Sequence, residues 1–166
     1  YGVTKKTNEL MAYTYHHLYN IPVTGLRFFT VYGPWGRPDM AYFSFTKAIL
    51  EGKPIDLYNN GEMKRDFTYI DDIVAGTAAA IDLQSPHEIF NLGNNRPEPL
   101  ASLIKAIENR LGVKAITKQL PMQPGDVVST YAAIGHSQDK LGFRPRTGLD
   151  EGITRFIDWY REYFNV

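Results

Sequence analysis

Residues Val23–Asp39 read VTGLRFFTVYGPWGRPD. The segment Val23–Tyr32 is rich in β-branched and aromatic side chains and predicts a buried strand. Gly33-Pro34-Trp35-Gly36-Arg37-Pro38-Asp39 must be a loop, because two Gly and two Pro punctuate it. On the N-terminal side, Leu10, Met11, Tyr15, Leu18 and Tyr19 fall at helical spacings within Lys5–Tyr19, and Asn20 followed by Pro22 ends that helix. On the C-terminal side, Met40–Glu51 reads as a helix stopped by Gly52 and Pro54. Helix, strand, loop and helix in succession predict an α/β or α+β fold.

The same reading continues down the chain. Ile55–Tyr58 and Arg65–Ile70 predict strands around Asn59-Asn60-Gly61-Glu62, where Asn-Gly signals a hairpin with a loop longer than two residues. Asp71 or Asp72 is expected to cap a helix over Ile73–Leu83. Ile89–Leu92 reads as a short strand. Leu103, Ile104, Ile107 and Leu111 form one stripe of a helix over Leu100–Leu111, with Gly112 beyond its end. Lys114–Leu120 predicts a strand, Pro121–Ser129 a loop, Ser137–Leu141 a short helix closed by Gly142, and Asp150–Phe164 the last helix.

Composition excludes several classes of function. The 166 residues carry 18 basic and 18 acidic side chains, so no global field attracts nucleic acid or anionic lipid. No apolar run approaches the ~20 residues of a membrane span. The absence of Cys rules out disulfides, thiolate–zinc sites and a cysteine nucleophile, and suits a cytoplasmic setting. His16 and His17 are adjacent and point to different helix faces, and His87 and His136 lack partners by spacing, so no metal is expected. The 11 Tyr and 9 Phe read mostly as core, and no basic stripe accompanies them to make a nucleic-acid stacking platform.

Tyr1 and Lys5 stand four apart, one helical turn, on one face. A free tyrosine is a poor base at neutral pH, and a nearby ammonium favours its phenolate. A phenolate can accept the proton of a sugar hydroxyl. Such a pair also arises by chance in many helices, so its context decides.

That context is an ordered set of motifs. It runs Arg27-Phe28-Phe29-Thr30-Val31-Tyr32-Gly33-Pro34, Arg65-Asp66-Phe67-Thr68-Tyr69-Ile70-Asp71-Asp72-Ile73, Phe90-Asn91-Leu92-Gly93, Gln123-Pro124-Gly125-Asp126, Leu141-Gly142-Phe143 and Glu151-Gly152. Together they resemble the C-terminal half of the extended short-chain dehydrogenase/reductase family, over essentially the whole chain. Gly36-Arg37-Pro38-Asp39-Met40-Ala41 resembles its UDP-glucuronate 4-epimerase branch. The resemblance implies part of an extended Rossmann-type α/β fold. Residues 1–35 would be the last helix and strand of a cofactor-binding lobe, and residues 36–166 a small nucleotide-sugar-binding lobe, in one compact unit. The glycine-rich turn that holds the NAD pyrophosphate in that family has no counterpart here, and the chain starts at Tyr1. The chain is therefore expected to be a C-terminal half that binds NAD weakly and is inactive by itself.

The resemblance also assigns roles. Tyr1 would be the general base and acid, with Lys5 as its cationic neighbour on the nicotinamide ribose. Phe29, Tyr32 and Pro34 would lie near the nicotinamide end of NAD. Thr30, where many members have Asn, would contact the sugar carboxylate, with Arg37 as charged partner; a guanidinium fork matches a carboxylate. Arg65 would meet the diphosphate, Asp56 and Tyr58 the uracil, and Asp126 a ribose hydroxyl. Gln123 stands where some relatives use Arg against the diphosphate, and the exchange removes a charge. The implied reaction interconverts UDP-glucuronate and UDP-galacturonate through a 4-keto sugar, in a homodimer paired through helix 1–20. Decarboxylases, dehydratases and neutral-sugar epimerases share the Tyr/Lys pair, and a non-catalytic nucleotide-sugar-binding module is the alternative from a different class.

Overall fold

A computed structural model describes all residues, Tyr1–Val166. Its elements run α1 (Gly2–Tyr19), β1 (Val23–Phe28), β2 (Thr30–Tyr32), α2 (Ala41–Leu50), β3 (Ile55–Tyr58), β4 (Lys64–Tyr69), α3 (Ile70–Asp82), β5 (His87–Leu92), β6 (Pro97–Pro99), α4 (Leu100–Leu111), β7 (Thr117–Leu120), α5 (Gly135–Leu141) and α6 (Leu149–Phe164). The strands form three small sheets, β1–β5, β2–β4–β6 and β3–β7. The pairs β1–β5, β2–β4 and β3–β7 are parallel, and β4–β6 is antiparallel. The architecture is α/β with a Rossmann-type arrangement of parallel strands and intervening helices.

The expected strand Val23–Tyr32 is two strands in two sheets. The break is at Phe29, whose N–H donates to the Leu92 carbonyl and whose carbonyl accepts from Val31 N–H at 2.9 Å. That tight turn sends the chain from β5 to β4. The expected hairpin between β3 and β4 is absent: β3 pairs with β7 and β4 with β2 and β6. Asn59, Asn60 and Gly61 all have positive φ, so the connection is a longer left-handed turn than the two-residue kind that returns a strand on its neighbour. Strand β6 carries two prolines, which hid it from the sequence; it lies at a sheet edge, where Pro is tolerated. The expected cap of α3 is also corrected. Tyr69 occupies the N-cap with no side-chain bond, while the Asp72 carboxylate accepts the N–H groups of Arg146 and Thr147 at 3.1 and 3.0 Å.

Two buried clusters hold the molecule. The larger packs α2, α4 and α6 on β3 and β4, with Leu103, Ile107, Ile153, Phe156 and Ile157 fully buried. The smaller joins Ile73, Phe90, Leu92, Ala132, Ile134 and Phe143, with Leu26, Phe29 and Val31 against it. The carboxylate of Asp66 is fully buried and ties three segments together. It accepts backbone N–H groups from Asn94, Asn95 and Ala132 at 2.6–3.0 Å. Those charge-assisted bonds offset the desolvation of a buried carboxylate.

Candidate functional site

Five of the residues expected to bind substrate share one cavity of about 360 Å³: Thr30, Asp56, Tyr58, Arg65 and Asp126. Their placement follows from strand geometry. Successive residues of a strand alternate faces, so Ile55 and Leu57 enter the core while Asp56 and Tyr58 turn to the cavity. The β2–β4 register sets Thr30 opposite Phe67, two residues and one pleat from Arg65. Met40, Phe45, Met63 and Leu100 add an apolar lining that the sequence did not single out.

Arg65 is nearly covered, and its guanidinium is already engaged. Nη1 donates to the Val127 carbonyl at 2.8 Å and Nη2 to Asp126 Oδ1 at 2.8 Å. The backbone adds to this: Lys64 N–H donates to the Val128 carbonyl, and Thr130 N–H to the Lys64 carbonyl. The end of the loop is thus laid along β4, and Asp126 is held beside Arg65. Gln123 stays exposed outside the cavity, touching this arrangement only through its carbonyl, which accepts from Asp126 N–H at 3.3 Å.

Arg37 does not line the cavity; its neighbour Asp39 does. Arg37 Nε and Nη2 meet the two Asp39 oxygens at 3.0 and 2.5 Å. This fork holds the Asp39 carboxyl below the usual carboxylate range. The loop that carries the pair is clamped. Gly36 lies so close to the Tyr42 hydroxyl that a Cβ there would overlap it, and Trp35, at φ 62°, packs on Trp159 and Tyr163 with ring centres 5.2 and 5.1 Å away.

Tyr1 and Lys5 open on a different groove, of about 700 Å³, between α1 and β1. Lys5 Nζ lies 5.2 Å from the centre of the Tyr1 ring. Tyr1 is 93% exposed. Phe28, half exposed, lines the same groove and was not singled out by the sequence. Phe29 is half-buried against the smaller core, and Pro34 is half-buried in the loop. The ring of Tyr32 belongs to the larger core. Its side chain is 1% exposed, its hydroxyl donates to the Gly148 carbonyl at 3.2 Å, and burial pushes its phenol far up. Gly152 makes room for that hydroxyl. A phenol and an ammonium beside an exposed aromatic ring fit the nicotinamide-ribose end of a dinucleotide; the chain supplies no glycine-rich turn for its pyrophosphate.

Two histidines have partners that spacing did not reveal. His136 Nε2 lies 2.8 Å from Glu88 and stacks on Phe90, and His16 Nδ1 lies 2.9 Å from the Ile21 carbonyl.

Comparison with known proteins adds an independent line. A model of the NAD dependent epimerase/dehydratase family matches residues 1–93, more than half of the chain. Protein CapI of Staphylococcus aureus is 48% identical over 182 residues, covering 99% of this chain and 54% of that protein. UDP-glucuronate 4-epimerase 4 of Arabidopsis thaliana is 47% identical over 182 residues, covering 99% of this chain and 42% of that protein. Among solved structures, UDP-glucuronic acid 4-epimerase from Bacillus cereus in complex with UDP-glucuronic acid and NAD superposes with a TM-score of 0.92 at 35% identity, over 98% of this chain and 52% of that one. The chain spans about half the length of the curated relatives it matches.

Proposed function

The chain belongs to the NAD dependent epimerase/dehydratase family, and from that premise we propose that it forms the nucleotide-sugar-binding part of an enzyme that inverts carbon 4 of a UDP-linked sugar acid. The substrates would be UDP-glucuronate and UDP-galacturonate. The observation that carries the reading is the convergence of Thr30, Asp56, Tyr58, Arg65 and Asp126 on one cavity, from three strands and a loop. It is supported by the similarity to proteins that bear the UDP-glucuronate 4-epimerase name.

In this reading Arg65 meets the diphosphate with a charged, planar donor. Asp56 and Tyr58 hold the uracil at the β3 edge, and Asp126 accepts a ribose hydroxyl. Thr30 and Arg37 receive the sugar carboxylate at the cavity mouth. Tyr1 accepts the proton of the C4 hydroxyl as the 4-keto sugar forms, then returns a proton to the C4 oxygen after the sugar has turned over. Lys5 supplies the positive charge that favours a phenolate. The nicotinamide cofactor, when bound, supplies reversible two-electron oxidation at C4; Tyr1 and Lys5 would hold its nicotinamide end, with Phe29, Tyr32 and Pro34 near it. The exposed Leu10, Met11, Tyr15 and Leu18 of α1 suit pairing with a second copy.

Product analysis tests the reaction. A protein carrying this chain together with a dinucleotide-binding half should convert UDP-glucuronate to UDP-galacturonate. Tyr1→Phe keeps the ring and removes the proton acceptor. Turnover should fall by about 10²–10⁴-fold with UDP-sugar affinity nearly intact. Wild-type turnover in that variant would move the base to another residue, and a pentose or deoxysugar product would replace epimerisation with decarboxylation or dehydration.

A further inference from the structure

Asp39 is the cavity residue that the proposed ligand chemistry leaves without a task. Its carboxylate lines the same space as Thr30 and Arg65, with no ligand group assigned to it. It is occupied instead by Arg37, through Nε at 3.0 Å and Nη2 at 2.5 Å. This bidentate contact is the one a guanidinium offers any carboxylate. The pair is not on a free tail. Met40 N–H donates back to the Arg37 carbonyl at 3.2 Å, the Tyr42 hydroxyl fills the space beside Gly36, and Trp35 is packed on α6. The loop therefore presents Arg37 and Asp39 together at the cavity edge.

We propose that Asp39 is an internal competitor for the sugar carboxylate, a specificity-determining residue that occupies the Arg37 fork until a ligand brings a carboxylate of its own. The inference rests on the nucleotide-sugar reading above. A neutral sugar offers Arg37 nothing in exchange and leaves the pair intact. An acidic sugar must displace Asp39, so its affinity reflects the difference between two carboxylates rather than the whole strength of one. The negative charge of Asp39 in the cavity adds repulsion against the same group. Arg65 repeats the arrangement, with Asp126 resident on its Nη2. Both arginines assigned to the nucleotide sugar thus already hold a carboxylate of the chain.

The test is calorimetric titration of UDP, UDP-glucose and UDP-glucuronate into the protein and its variants. Asp39 is 64% exposed at its side chain, so Asp39→Asn leaves the core untouched. UDP-glucuronate should bind Asp39→Asn about two- to fivefold more tightly than the unaltered protein, in keeping with the strength of an exposed ion pair. UDP-glucose and UDP should bind as before. Asp39→Glu, which restores the charge, should return the affinity toward the original value, and Arg37→Leu added to Asp39→Asn should remove the gain. Unchanged or weakened UDP-glucuronate binding in Asp39→Asn overturns the inference, and so does an equal gain for all three ligands, which would be general charge relief. A failure of the underlying reading looks different: UDP itself then fails to bind the unaltered protein, which overturns the site and this inference together.

Discussion

Helices α1 and α6 are of similar length, yet different forces hold them. Helix α6 spans 16 residues and buries Gly152, Ile153, Phe156, Ile157 and Tyr160 at helical spacings against α4 and β4. Helix α1 spans 18 residues and buries none. Its side-chain ties to β1 and the turn that precedes it are polar: Arg27 Nε and Nη2 grip the Glu9 carboxylate at 2.6 and 2.8 Å, and His16 reaches the Ile21 carbonyl. Burial holds one helix; an ion pair, a histidine bond and the rings of Tyr13 and His16 against His87 hold the other. The candidate site divides along the same line. The nucleotide cavity rests on strands packed under α6 and α2, whereas the Tyr1/Lys5 pair rides on the helix without a core.

The sharpest way to break this comparison is to truncate one apolar residue in each helix. Phe156→Ala removes a fully buried ring and should cost about 3–5 kcal/mol of stability in a denaturant titration. Leu10→Ala, at an exposed position, should stay within about 0.5 kcal/mol in dilute protein. Equal losses would mean that α1 is buried against something in solution, and a concentration-dependent loss for Leu10→Ala would identify that cover as a second copy.

A smaller effect should follow pH at the polar attachment. The Arg27 and Lys6 contacts bring the Glu9 carboxyl down to about 2 from an ordinary 4.5. A lowered carboxylate pKa stabilises the fold fully above the unfolded value and loses that contribution as pH falls through the folded one. The melting-temperature gap between the unaltered protein and Glu9→Gln should therefore be present at about pH 6 and shrink from about pH 4.5 downward. Raising salt should shrink it as well, because the pair is partly exposed. A gap that is constant with pH would assign the Glu9 contact to packing rather than charge.

What the sequence made legible was local. The stripe of Leu103, Ile104, Ile107 and Leu111 named both the helix and its buried face, and all four are buried. The stripe on α1 named the helix just as well and said nothing of what covers it. Strand pairing was illegible for a related reason. In β3–β7, Ile55 pairs with Thr117, far along the chain, whereas Asn59-Asn60-Gly61 offered a nearby partner that β3 does not use. Within the cavity, Arg65 and Asp126 stood out through their motifs. Met63 and Phe45 did not, because an apolar residue is common until the fold brings it beside Arg65; Asp39 lay inside the Gly36–Ala41 motif without a role of its own. Tyr32 was placed by its motif near the cofactor, and the motif did not reveal that its ring is core.

The nucleotide-sugar reading stands on the cavity around Arg65 binding the UDP part of the ligand. Its most direct test is a calorimetric titration of UDP into the protein and into Arg65→Leu, with circular dichroism confirming that the variant is folded. Loss of a charged hydrogen bond to the diphosphate is worth about 1.5–3 kcal/mol, so UDP affinity should fall roughly ten- to hundredfold, and UDP-glucuronate and UDP-glucose should lose the same factor. UDP binding that survives Arg65→Leu unchanged, in a folded variant, would contradict the claim.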